Sequence, residues 1–213
     1  MESEFDLIES IKKFNEMYGI EYNAKAKTDL GVERLQNFKH IFFKELDELV
    51  DIKKETDFFN ATVMSLDWLG DLMVYCLSEC GRWGFLELSN LISQTLKMEK
   101  KLVYNSTISF SPYLDKIKMQ LIDVFLTETV SRKTNIEKME CILYHSMNLI
   151  FNTALSSGIV LDDVLEIIME SNFSKLGEDG KPIIDERGKI LKGPNFQPPE
   201  PDLEKYLRKN WGI

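Results

Sequence analysis

The sequence predicts an all-α protein. Apolar residues recur every three or four positions over most of the chain, glycines fall where these runs stop, and a strand-like pattern is confined to one short segment near the C-terminus. With 213 residues, 44% of them hydrophobic, the chain can bury one compact core or two small fused ones. A net charge of -9 opposes non-specific binding to nucleic acid or anionic lipid, both of which rely on Lys and Arg displacing counterions. Neither class of partner is expected. No apolar run is long enough to span a bilayer. The start, "MESEFDLIESIKKF", lacks the basic and apolar regions of a signal peptide, and Cys76, Cys80 and Cys141 are too few for a disulfide framework, so a reduced, cytoplasmic setting is expected.

The first helix is read over residues 4 to 19, where Phe5, Ile8, Ile11, Phe14 and Met17 share a face. A second runs to about Val50 with Thr28 or Asp29 as its N-cap, and a third from about Phe59 to Trp83, stopped by Gly84. Helical pattern resumes after Glu87, breaks at "YNSTISFSPY", and continues through helices at about 112 to 130 and 135 to 157, the latter ending at Gly158. The short helix "LDDVLEIIMES" leads into "SNFSKLGEDGKPIIDERGKILKGPNFQPPEPD", where Asp185 to Gly188 suits a hairpin turn.

The two central helix pairs, 38–84 and 112–158, can be laid over one another, as a degenerate internal repeat would be or as two amphipathic helix pairs match through their shared periodicity. A shift of 75 places Phe38 on Tyr113, Phe42 on Ile117 and Leu46 on Leu121, and a shift of 74 places Leu69 on Leu143, Met73 on Met147 and Gly84 on Gly158. The polar positions diverge, with Glu45 on Gln120, Glu48 on Asp123, Asp67 on Cys141 and Asp71 on His145. The acids therefore sit mainly in the first copy.

Glu45 and Glu48 lie three apart on one helix, and Asp67 and Asp71 four apart on the next, so each pair projects from one face. Two readings stand: a solvated acidic face, or four carboxylates converging on hard divalent cations. The second gains weight because Asp67 and Asp71 lie in "SLDWLGDLMVYCLSECGRWG", which is apolar nearly all round. In the C-terminal stretch, Lys175, Lys181, Arg187, Lys189 and Lys192 are interleaved with Gly177, Gly180, Gly188 and Gly193. That pattern suits either a solvated tail or a segment that wraps phosphates, with lysine charge on a flexible backbone. Cys76 and Cys80 read as small core residues, His40 and His145 as structural, and Trp68, Trp83, Phe14 and Tyr18 as core, with a base-stacking role open to one of these aromatics.

Three segments carry a family resemblance: "FNEMYGIEYNAKAKTDLGVERLQNFKHIFFKELDELVD", "LDWLGDLMVYCLSECGRWG" and "LDDVLEIIMESNFSKLGEDGKPIIDERGKILKGPNFQPPEPDLEKYL". Together they resemble the all-α nucleoside triphosphate pyrophosphohydrolases, and within that superfamily the MazG-like and phosphoribosyl-ATP-pyrophosphohydrolase-like proteins common in phages and their hosts. Their metal motif is ExxE on one helix and ExxD on the next. Glu45, Glu48 and Asp71 match it. Trp68 stands where the remaining acid belongs, with Asp67 one residue away as its substitute, and Lys44 occupies a place where many relatives carry another Glu. Residues 85 to 158 have no counterpart in the short relatives.

The resemblance implies a MazG-like helical bundle covering residues 1–213, with a C-terminal Lys/Gly-rich flap or small hairpin over 171–207. It implies hydrolysis of a nucleoside triphosphate to the monophosphate and pyrophosphate, with Mg²⁺ or Mn²⁺ held by Glu45, Glu48, Asp67 and Asp71. Glu48, with Glu45, would carry the proton chemistry. Asn172, Lys175, Lys189 and Lys192 would cover the phosphates, and Phe14, Tyr18 and Asn37 would frame the base. The expected partner is the nucleotide, and a homodimer with one active site per chain is the expected assembly; a catalytically degenerate nucleotide-binding or interaction protein is the alternative.

Overall fold

The computed structural model describes residues 5–24, 26–99, 114–186 and 189–211, and over these the chain is helical with no named strand. Helix α1 (Leu7–Met17) starts at Asp6, whose carboxylate accepts the amides of Ile8 and Glu9, and it buries Leu7, Ile11 and Phe14. Helix α2 (Gly31–Asp47) buries Leu35, Phe38, Ile41, Phe42, Glu45 and Leu46. Its N-cap is Leu30 rather than Thr28 or Asp29, although the Asp29 carboxylate accepts the Gly31 amide just ahead of the first turn. The single run expected to Val50 breaks at Glu48, and a short α3 (Leu49–Ile52) follows.

Helix α4 (Phe58–Trp83) is the axis of the molecule. Asp57 caps it through the Asn60 amide, and α1, α2, α3, α5, α7, α8 and α9 all pack against it. A helix enclosed in this way reads as apolar nearly all round, because beyond its first turn none of its residues is exposed. It ends at Gly84, whose φ of 75° is left-handed and whose missing side chain leaves room for the Ala26 carbonyl; a Cβ there would stand 2.2 Å from that oxygen.

Helix α5 (Leu86–Glu99) follows. Residues 100–113, including the expected break at "YNSTISFSPY", lie outside the described residues. Helices α6 (Leu114–Val130) and α7 (Asn135–Ser156) pack on each other, and Thr134 and Glu137 form a reciprocal capping box at the start of α7. The pair lies against α2 and α4. Phe125 of α6 sits among Phe38, Phe42 and Phe43 of α2 with ring centroids 5.8, 5.1 and 5.4 Å away, a seam that buries three aromatic contacts at once. Cys76 and Cys80 are fully buried free thiols within this core.

Helix α8 (Leu161–Phe173) hands the chain to the lysine- and glycine-rich segment, which folds back twice. Leu176 bridges Pro182 and Ile184 bridges Ile190, both antiparallel. The expected turn at Asp185 to Gly188 is closed by hydrogen bonds between Asp185 and Lys189, while Arg187 and Gly188 lie outside the described residues. Gly193 passes so close to the Leu176 carbonyl that a Cβ would stand 1.8 Å from its oxygen. One expectation is corrected: the segment does not run as a flap to residue 207. Helix α9 (Glu200–Trp211) begins at Glu200, buries Leu203, Tyr206 and Leu207, and packs on α4 and α8. Pro198, Pro199 and Pro201 disguise this helix in the sequence, yet proline is tolerated in a first turn, where the amide has no intrahelical partner. Among the described residues no helix is long and apolar enough to cross a membrane.

Candidate functional site

Glu45 closes the buried face of α2 and is 3% exposed, whereas Glu48, at the break before α3, keeps its side chain about half in solvent. Asp67 and Asp71 lie one turn apart on α4. The C-terminal segment reaches this group from the far end of the sequence. Lys189 Nζ stands 3.0 and 3.3 Å from the two carboxylate oxygens of Glu45 and 3.7 Å from Glu48 Oε1. Asn172 Nδ2, in the last turn of α8, is 3.5 Å from Asp71 Oδ1.

The electrostatics divide the four acids. Burial pushes the Glu45 carboxyl up to about 7, the charges of Asp71 and Glu48 push the same way, and Lys189 opposes them. Burial likewise pushes Asp67 up to about 8, but there the reinforcing charges are Asp71 and Glu200 and the opposing ones Lys175 and Lys192. Asp71 is the carboxylate common to both groups. Lys189 loses charge stability by burial and regains more from Glu45 and Glu48, so its pKa rises. Tyr75, between these acids, is held well above its ordinary value by burial and by their charge.

Trp68, three residues before Asp71, packs α4 onto α2. It is 3% exposed, and its indole N–H donates to the Glu45 backbone carbonyl at 2.8 Å, fixing the end of α2 to α4. An acid at that position would be buried against backbone with no donor to pair it. Asp67, one residue earlier, instead feels the charges of Glu200, Lys175 and Lys192.

The donor set fits a hard divalent cation chemically: oxygen donors, buried or half-buried, two of whose proton affinities are already raised by burial and then by mutual repulsion. Among the described residues, however, no three His, Cys, Asp or Glu side chains stand grouped closely enough to hold an ion as they are. The Lys189 ammonium occupies the Glu45 carboxylate instead.

Beside the acids lies a narrow cavity of about 40 Å³, lined by Asp71, Asn172 and Lys175 together with Phe14, Phe38, Ile41 and Val74. It has room for a few waters and is too small for a nucleoside. Of the three residues expected to frame a base, Phe14 lines the cavity, while Tyr18 and Asn37 do not. Tyr18 is buried, and its hydroxyl donates to the Asn172 carbonyl at 2.7 Å, so it steadies the end of α8. Lys175 and Lys192 both lie over the Phe196 ring, 5.8 and 4.6 Å from its centroid, and Lys192 is exposed there rather than directed into the cavity.

Sequence reasoning missed Arg34, Tyr75, Glu79 and Arg82, all of which line the cavity. The signal was present, because Asp71, Tyr75, Ser78, Glu79 and Arg82 follow one another at helical spacing on α4. In the α6/α7 pair, Gln120, Asp123 and His145 line a separate open groove. No family model, curated protein or solved structure matches the chain.

Proposed function

We propose that the protein is a divalent-cation-dependent nucleoside triphosphate pyrophosphohydrolase, releasing the monophosphate and pyrophosphate. The observation that carries this reading is the approach of Lys189 and Asn172, from the end of the chain, to Glu45 and Asp71. Carboxylates and amines interleaved in this way suit a ligand that is anionic and arrives with cations. Mg²⁺ or Mn²⁺, held by Glu45, Glu48 and Asp71 with Asp67 beside them, would supply charge neutralisation and Lewis acidity to the phosphates.

The chain's own residues do the rest. Lys189, freed from Glu45, would pair with the phosphate oxygens, and Lys175 and Lys192 would add charge as it shifts toward the leaving pyrophosphate. Asn172 donates from the mouth of the cavity. Glu48, the most solvent-exposed of the site carboxylates, accepts the proton of the attacking water. Phe14 and its apolar neighbours would form the water-poor side of the nucleoside site. In this reading the α6/α7 pair is a degenerate second copy that replaces acids with Gln120 and His145, the molecule acts as a homodimer, and each chain has one active site.

A second reading, a nucleotide-binding protein that has lost turnover, is favoured by Trp68 in the acidic motif and by the Lys189 ion pair on Glu45. Incubation with a panel of ribo- and deoxyribonucleoside triphosphates and Mg²⁺, with product identification, separates the two. Monophosphate and pyrophosphate support the first. Mg²⁺-dependent binding without products supports the second, and neither binding nor products removes both.

A further inference from the structure

One side chain lining the cavity carries a hydroxyl that no described residue binds. Tyr75 follows Asp71 by one turn of α4, so the two leave the same face of the helix, and both line the cavity with Asn172 and Lys175. The charges of Glu45, Asp71, Glu48 and Asp185 all bear on the Tyr75 hydroxyl, which sets it among the acids of α2, α4 and the C-terminal segment. Among the described residues it nevertheless makes no hydrogen bond.

Two other tyrosines show what a structural hydroxyl does in this protein. Tyr18 donates to the Asn172 carbonyl at 2.7 Å, and Tyr206 accepts the Val160 amide at 3.0 Å. A tyrosine kept for packing alone finds such a partner or gains nothing over phenylalanine. Neighbouring donors of the site are already engaged: Lys189 with Glu45, Asn172 beside Asp71, and Lys175 over Phe196. The Tyr75 O–H remains unspent. Burial and the surrounding negative charge keep it protonated, so it serves as a donor and not as a base.

We infer that Tyr75 touches the substrate of the proposed reaction, donating its hydroxyl to a phosphate oxygen bound beside Glu45 and Asp71. The inference rests on the hydrolase reading for placing cations and phosphates at these acids. Once cations hold the carboxylate oxygens, those oxygens are no longer free to accept the phenol, and the acceptors that remain are the anionic oxygens of the ligand. A hydrogen bond to a charged oxygen is about twice as strong as one between neutral groups, so one donor is enough to be measured.

The test is Tyr75→Phe, which deletes the hydroxyl and keeps the ring. Because the hydroxyl has no protein partner, the melting temperature is expected to stay unchanged. With saturating Mg²⁺, kcat/KM for a hydrolysed nucleoside triphosphate is expected to fall about tenfold to a hundredfold, and binding of inorganic pyrophosphate, followed by calorimetry, to weaken by a similar factor. Both are measured below the melting transition of either protein. Unchanged kcat/KM together with unchanged binding would overturn the inference, whatever the melting temperature does. Failure of the hydrolase reading shows separately. Equal rates of product release from wild type and variant leave the hydrolase and remove the tyrosine contact. Pyrophosphate binding that weakens in Tyr75→Phe, with no products from any triphosphate, removes the hydrolase and leaves the contact; neither binding nor products removes both.

Discussion

Lys189 Nζ lies 3.0 Å from Glu45 Oε2, an ion pair that joins residues 144 positions apart and brings the C-terminal segment onto the end of α2. In the proposed reading a divalent cation would bind where the ammonium stands, so the two would compete. Metal uptake must also ionise carboxyls held up to about 7 at Glu45 and about 8 at Asp67. Titration of Mg²⁺ near pH 7 in two buffers of unlike ionisation heat is therefore expected to register proton release. Binding with no proton release would show that these acids are not the ligands.

Glu48 is exposed and makes only a long contact with Lys189, so its removal leaves the core intact. Glu48→Ala is expected to hold stability within about 0.5 kcal/mol and to lower turnover by about a hundredfold or more. Urea melts and pyrophosphate release measure the two effects; full activity in this variant would refute the site.

The raised carboxyls give a pH dependence of definite sign. The folded state holds protons on Glu45 and Asp67 that the unfolded chain releases at ordinary carboxylate values of 4.5 and 3.8. The contribution of these groups to stability is therefore full at low pH, falls as pH rises from about 4 to about 8, and levels off above that. In EDTA, Glu45→Gln and Asp67→Asn should each flatten the decline in melting temperature between pH 5 and pH 8. A parallel decline in wild type and both variants would mean that other groups set it.

Placing an acid at position 68 is expected to fail. Trp68→Phe loses the bond to the Glu45 carbonyl and costs about 1–3 kcal/mol, while Trp68→Glu buries an unpaired charge and opens a cavity, costing about 3 kcal/mol or more. Chemical denaturation of both variants is the measurement, and a stable, more active Trp68→Glu protein would contradict the account of Asp67 as the substitute acid.

Helix α9 is structural. Leu203 and Leu207 are fully buried, and the Tyr206 hydroxyl accepts the Val160 amide at 3.0 Å. Leu203→Ala should cost about 2–5 kcal/mol, which denaturant melts will show; a loss within about 0.5 kcal/mol would mean that α9 is not docked.

The helices were legible in the sequence wherever an apolar stripe met a clear stop, as at Gly84 and Gly158, because periodicity and left-handed caps are local properties of the backbone. The carboxylates were legible by type and spacing for the same reason. Helix α9 was not, since three prolines near its start outweighed a short apolar pattern whose burial depends on α4 and α8. A tryptophan at position 68 was visible in the sequence, but what it does lies across the helix interface, in its bond to the Glu45 carbonyl.

By itself, the sequence determined an all-helical chain, an acidic helix pair and a lysine- and glycine-rich segment. Only the tertiary structure decided that Lys189 meets Glu45, that Asp71 stands between two groups of acids, and that the cavity runs on to Arg82. Spacing along a helix fixes which residues share a face, but which faces meet is set by burial of the whole apolar surface around α4. Charges far apart in sequence are carried together as a consequence of that packing.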